Sequence, residues 1–307
     1  NWLFIKNMKK KILTRDLIFY ILMLAYPVIQ FCIFYIGVNF KSILFSFQRI
    51  DVFNNTRTFT FDNIRDSFNL LTLDKTMIET EKMSLRVYFI SLITGVPLGL
   101  LFSFYIFKKR FVSNAFRVLL FLPSIVSSII MVTIFRFFTN EALLEIMKKF
   151  FGRVIEEGLV SNPKTSFRTV MFYNIFVSFG TSVLMYSNRM SAIDTEMVEA
   201  AHLDGAVGFK EFWYIILPHT FSTLSTFLIV GIAGIFSNQF NLFSFFGKEA
   251  PDKLRTFGYY LYVQTANAKS EADYPILSSL GFLLSIVAIA LTFTVRWLLN
   301  KIEPSEE

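Results

Sequence analysis

Long apolar runs decide what this chain can fold into. About six follow one another, over residues 17–40, 87–107, 116–138, 169–187, 221–246 and 274–299. A bilayer core takes roughly 20 apolar residues per helix. Lipid offers no partner to open backbone groups, so each run must be helical. The fourth and fifth runs carry more polar residues than the others. With 54% hydrophobic residues, 39 Phe and a mean hydropathy of +0.52, the chain is more apolar than soluble domains usually are. The expectation is an all-α integral membrane protein with about six transmembrane helices.

The net charge of +7 has a topological explanation. Lys6, Lys9, Lys10, Lys11 and Arg15 precede the first run. Lys108, Lys109, Arg110 and Arg117 surround the second link, and Arg296 and Lys301 flank the end of the last run. With six spans these sites share one side, which is the positive-inside pattern. Both termini then read as cytoplasmic, and the links 41–86, 139–168 and 247–273 face outward. The basic excess calls for membrane lipid as partner and for no nucleic acid. The lone Cys32 reads as an apolar filler without a disulfide partner in the chain. The first apolar run is too long for a signal-peptide core and no A-x-A site follows it, so it reads as an uncleaved anchor.

Three parts are expected along the chain. Residues 1–82 hold the amino-terminal segment, the first span and an outward stretch; 83–299 form a compact bundle of five helices; 300–307 are a tail. Turn formers and alternating Thr and Phe at 54–66 predict a small strand or turn. Pro27, Pro97 and Pro123 lie inside spans, where proline removes a backbone hydrogen bond and kinks the helix.

Catalytic chemistry is sparse. There is no G-x-x-x-x-G-K-[ST] phosphate loop, so ATP is not bound by that route. His202 and His219 have no zinc-like spacing of Cys or carboxylates, and no metal site is expected. The spans contain essentially no Asp or Glu, which argues against a proton-coupled carrier and against a membrane-embedded enzyme.

The polar link at 194–218 stands out between apolar runs. Asp194 is placed to cap a helix starting at Thr195, with Glu196 near its positive end. Met197, Ala200, Ala201 and Leu203 make an apolar stripe beside the polar Glu196 and Glu199. The two alanines keep that stripe shallow, so another surface can approach closely. Gly205 fits the position after the last turn, where positive φ is common. Phe209, Phe212 and Trp213 mark a second amphipathic segment ending at Ile216, Leu217 and Pro218. A surface helix packed only on its own protein is the competing reading.

Glu199, Ala200, Ala201, Gly205, Ile215, Leu217 and Pro218 follow the pattern EAA, three residues, Gly, nine residues, I-x-LP. At that spacing the link resembles the signature loop of the permease subunits of binding-protein-dependent ABC importers, over residues 83–299. The resemblance implies the type I importer permease fold in a bacterial cytoplasmic membrane, with several passes. It implies that Glu196, Glu199, Ala200, Ala201, Leu203, Asp204, Gly205 and Phe209 dock on an ATP-binding subunit dimer. ATP and magnesium would sit on that partner, and this chain would bind no cofactor. A second permease subunit of different sequence and an extracytoplasmic solute-binding protein complete the implied assembly. Asp204-Gly205-Ala206, the stretch 236–243 and the aromatics Tyr259, Tyr260 and Tyr262 are similar to the carbohydrate-uptake branch, in particular its larger, maltose-type subunit without a long outer domain. One departure is Ile193-Asp194-Thr195, where many relatives start the helix with proline.

A sugar path needs amides and hydroxyls for hydrogen bonds. Asn174, Ser178 and Thr181 fall on one helical face, and Asn238, Gln239 and Asn241 cluster late in the fifth run. Helix–helix hydrogen bonding by the same residues is the alternative. Resemblance to sugar permeases favours Asn174, Ser178 and Asn238 as path residues. Arg136, near the outer end of its run, reads either as a snorkelling residue or as a pore-mouth contact for an anionic solute. Competing functions keep the architecture but carry an acidic glycan, polyamine, phosphate or amino acid, or make the chain a non-transporting scaffold.

Overall fold

The computed structural model describes residues 2–52, 54, 56–152 and 157–303, with side chains from Asp16 onward. Almost everything described is helical, and five helices are long and apolar enough to cross a membrane, or six if one sharply bent pair counts as a single span. Two compact units emerge.

The first unit comprises Asn1–Asn69 with Ala268–Leu283. Helix α1 (Trp2–Gln30) passes through a π-helical turn, Phe31–Gly37, into α2 (Val38–Ser46). The wide turn follows Pro27, whose missing N–H disturbs the hydrogen-bond ladder. From Asp16 to Phe40 no described side chain is buried, and Leu22, Tyr26 and Phe34 are among those standing out. A helix apolar on all sides belongs in lipid or against another membrane chain. The expected strand is present as half of a hairpin: β1 (Gln48–Asp51) pairs antiparallel with β2 (Thr56–Phe59). Phe47 stacks on Phe59 and meets Phe61 and Phe282 edge-on, which fixes the hairpin's base. Asn63, in α3 (Asp62–Leu73), donates its amide to the Gln48 carbonyl at 2.8 Å.

The second unit comprises Leu70–Asn267 with Leu284–Glu307. Helix α4 (Lys75–Phe107) starts at Asp74, whose carboxylate accepts from the Met77 amide at 2.9 Å. Then follow α5 (Ser113–Ile125), α6 (Ser128–Phe137), α7 (Leu143–Phe151) and α8 (Ser166–Ser191). Next are α9 (Thr195–Leu203), the single turn α10 (Phe209–Glu211), α11 (Leu217–Ala233), α12 (Leu242–Phe246) and α13 (Phe257–Asn267). The last helix, α14 (Tyr274–Ile302), has its first ten residues in the first unit and the rest in this one. Helix α8 is central and packs on both α4 and α5. A Cβ on Gly180 would lie 1.8 Å from the Leu120 carbonyl oxygen, so α5 and α8 touch backbone to backbone there. Small residues permit such close crossings in membranes.

Two of the six expected spans need correction. The run 116–138 is not one straight helix: α5 and α6 meet at a 105° bend around Val126 and Ser127. Pro123 lies one turn before the break, and both Val126 and Ser127 take extended backbone. The run 221–246 is interrupted too. Its helix begins earlier, continuing from Phe209 through a π turn at Phe212–Ile216, and stops at Ala233. Gly231 and Gly234 weaken the helix, and the amide-rich stretch that follows bonds to itself and to its neighbours instead.

Two apolar clusters hold this unit together. One gathers Tyr173, Phe245, Leu242, Val132 and Tyr259, with the Tyr173 and Phe245 rings edge-on at 4.9 Å. The other gathers Leu100, Tyr186, Met190, Phe212 and Ile216 beside α9.

Candidate functional site

Between α4, α8, α11 and the loop after α11 lies a cavity of about 530 Å³. Asn174, Ser178 and Thr181 all stand on its wall, joined by Ser182. Asn238 and Asn241 line it as well; Gln239 and Arg136 do not. Arg136 instead donates Nη1 to the Phe245 carbonyl at 2.9 Å, at the end of α12. The facing wall comes from α4, with Ser84, Tyr88, Ser91 and Gly95. These α4 residues repeat the helical spacing of Asn174, Ser178 and Thr181, so the same periodicity test finds them in the sequence. Among the described residues, no Asp, Glu, Lys, Arg or His lines the cavity.

The loop under the cavity is held by side-chain amides. Asn174 Nδ2 donates to the Phe240 carbonyl at 3.2 Å, and Asn241 Nδ2 donates to Asn174 Oδ1 at 2.7 Å. The Phe240 amide donates to Asn238 Oδ1 at 2.8 Å, and Thr256 Oγ1 donates to the Asn238 carbonyl at 2.9 Å. Phe240 and Asn241 both have positive φ, 57° and 55°. That conformation costs a non-glycine residue roughly 1–2 kcal/mol, so these bonds hold a loop that would otherwise relax. On the α4 wall, the Tyr88 hydroxyl is buried and finds no hydrogen-bond partner among the described residues.

The polar link folds as its sequence indicates. Asp194 Oδ1 accepts from the Glu196 amide at 3.2 Å and α9 begins at Thr195. Gly205 has φ +80°. The Ala206 amide donates to the Ala201 carbonyl at 2.9 Å and the Gly205 amide to His202 at 3.0 Å, closing a Schellman turn. Ala201 turns inward and is buried. Glu196, Glu199, Ala200 and Asp204 are exposed, as are Met197, Val207, Phe209 and Leu203, the last at 90%. The link thus presents exposed apolar side chains among exposed carboxylates.

Beneath α9 lies a group that sequence reading missed. Glu211 is completely buried and accepts two hydrogen bonds from Lys108 Nζ, at 3.0 and 2.8 Å. His202 Nε2 lies 3.0 Å from the same carboxylate. Lys108 and Glu211 are 103 residues apart, and no local pattern announces such a pair.

A family model described as "Binding-protein-dependent transport system inner membrane component" matches residues 95–306. The chain is 28% identical over 206 residues to the maltose/maltodextrin transport system permease protein MalF of Escherichia coli (strain K12). That alignment takes in 66% of this chain but 38% of the relative, so the chain matches well under half of that protein. A probable ABC transporter permease protein, YesP of Bacillus subtilis (strain 168), is 29% identical over 187 residues, covering 58% of this chain and 57% of YesP. Among solved structures, a chain of a bacterial ABC transporter involved in import of the acidic polysaccharide alginate superposes with a TM-score of 0.78. It covers 96% of this chain and 99% of that one at 19% identity, which establishes the shared fold. A second alginate transporter structure, in complex with a pentasaccharide-bound periplasmic protein, gives a TM-score of 0.75 at 18% identity. With more than half its length matched by the family model, and with that fold, the chain belongs to the family of binding-protein-dependent transport system inner membrane components.

Proposed function

We propose that this chain is one transmembrane subunit of an ATP-driven importer and forms half of a path for a sugar or oligosaccharide. The observation that carries the reading is the uncharged cavity, whose wall mixes hydroxyls and amides with apolar side chains. Hydroxyls of Ser84, Ser91, Ser178, Thr181 and Ser182, amides of Asn174, Asn238 and Asn241, and the faces of Tyr88, Tyr186 and Phe227 surround it. This is what a neutral, hydroxyl-rich solute needs. A polyamine, phosphate or amino acid would bring charge into a wall that offers no countercharge, at a cost of several kcal/mol.

In this reading an extracytoplasmic binding protein delivers the solute, and a second permease subunit supplies the other half of the path. An ATP-binding subunit dimer, holding ATP and magnesium, docks on Glu196, Glu199, Ala200, Leu203, Asp204, Gly205 and Phe209. Both termini lie in the cytoplasm, and this chain performs no covalent chemistry. The relatives named for maltose, maltodextrin and alginate support a glycan cargo.

A second reading, an acidic glycan, has one observation of its own. A groove at the start of α4 gathers Lys75, Arg86, Lys253 and Arg255, against only Glu79 and Asp252. The full complex with its binding protein, reconstituted in proteoliposomes, separates the two. Maltotetraose stimulating ATP hydrolysis and uptake while a uronic-acid tetramer does not supports the neutral cargo. The reverse result selects the acidic one, and stimulation by neither overturns the glycan reading.

A further inference from the structure

The buried carboxylate of Glu211 joins three pieces of chain that the importer mechanism requires to move together. It sits just before the π turn that leads into α11. Through His202 it holds α9, the exposed docking helix. Through Lys108 it holds the residue directly after the last turn of α4. The α4 helix, 33 residues long and so about 50 Å from end to end, carries Ser84, Tyr88, Ser91 and Gly95 on the cavity wall. A physical path therefore runs from the docking helix to the cavity through one carboxylate.

The energetics fit a linkage better than a stability device. A buried ion pair gains little over well-packed apolar residues of the same volume, because desolvation offsets the attraction. Separating the segments, however, strands the fully buried Glu211 carboxylate without its partners, Lys108 and His202 being partly exposed, so separation is discouraged. Apolar packing, as in the nearby cluster of Phe212 and Met190, is non-directional and lets surfaces slide. The ion pair and the histidine bond are directional and do not.

We infer that Glu211 is a positioning residue that locks α9 to the end of α4, so that displacement of the docking helix is passed to the cavity wall. This rests on the coupling role proposed above for α9. Lys108 is the arm toward α4 and His202 the arm toward α9.

The test reads movement directly. In the assembled complex carrying Cys32→Ser, spin labels are placed at Ser91→Cys on α4 and Thr181→Cys on α8, across the cavity. The distance between them is measured by double electron–electron resonance before and after adding magnesium ATP with orthovanadate. The nucleotide shifts the distance in the parent protein. Glu211→Gln and His202→Ala each cut that shift by at least half, whereas Glu211→Asp, which keeps a carboxylate toward both arms, retains most of it. His202→Ala leaves the Lys108–Glu211 pair intact, so it decides the matter if Glu211→Gln fails to fold. Shifts in His202→Ala equal to the parent's overturn the linkage while leaving the coupling reading in place. A shift cut as deeply by Glu211→Asp as by Glu211→Gln also overturns it, assigning the group a purely structural role. No shift in the parent overturns the coupling reading itself, and the linkage with it.

Discussion

Asn174→Ala tests whether the loop below the cavity is held by side-chain amides. The substitution removes the donor to the Phe240 carbonyl and the acceptor for the Asn241 amide. The third bond of Asn174, to the Val170 carbonyl within its own helix, matters less, because that carbonyl is already in the helical ladder. A buried polar group left without a partner costs about 1–3 kcal/mol. Phe240 is 4% exposed, whereas Asn241 borders the cavity and can turn to water. Two stranded groups, one partly rescued by water, give about 2–4 kcal/mol. The positive φ values of Phe240 and Asn241 make relaxation of the loop the easiest escape. The apparent melting temperature of the purified protein, followed by intrinsic fluorescence, is expected to fall by about 4–8 °C. Asn241→Ala breaks the same bond from the other side, so the double variant loses less than the sum of the singles, by about 1 kcal/mol. A drop under about 1 °C for Asn174→Ala, or strict additivity of the pair, would refute the argument that these amides hold the loop.

Gly205→Val should lose ATP-driven uptake in the reconstituted complex. Nothing lies within 4 Å of the position its Cβ would take, so the penalty is the backbone strain of φ +80° alone, about 2 kcal/mol; unchanged binding-protein-stimulated ATPase and uptake would count against the docking role. Gly180→Ala places a carbon 1.8 Å from the Leu120 carbonyl oxygen and forces α5 and α8 apart. We expect about 3 kcal/mol of destabilisation or failure to accumulate in membranes, and a normally folded, equally stable variant would show that the crossing is looser than described.

Much of this was legible beforehand, for identifiable reasons. The Asp194 cap and the Gly205 turn are local: each depends on a few neighbouring residues, and both form as read. The wall residues Asn174, Ser178 and Thr181 share a face by helical periodicity, and the cavity lies along that face. Hydropathy alone could not show that the runs 116–138 and 221–246 are broken. The first stays apolar up to its break, and the bend at Val126 and Ser127 depends on extended backbone that no composition signals; in the second, Asn238, Gln239 and Asn241 interrupt the run, but a polar helix face reads the same way. Nor could the sequence separate Ala200 from Ala201, adjacent and identical, of which one is exposed and the other buried. Glu211 carries no local signal of burial, because its lysine partner lies 103 residues away. Arg136 offered two readings from its position; the bond to Phe245 ties it to the end of α12, away from the cavity wall.

The uncharged cavity wall has an electrical consequence. A membrane potential of 100 mV exerts about 2.3 kcal/mol on each elementary charge carried across it. Side chains that bear no charge give that field nothing to grip, so rearranging this wall moves no gating current. A neutral solute crossing it would add none. Under the proposed function, transfer past this wall would be indifferent to voltage, and the drive would have to come through the proposed docking helix.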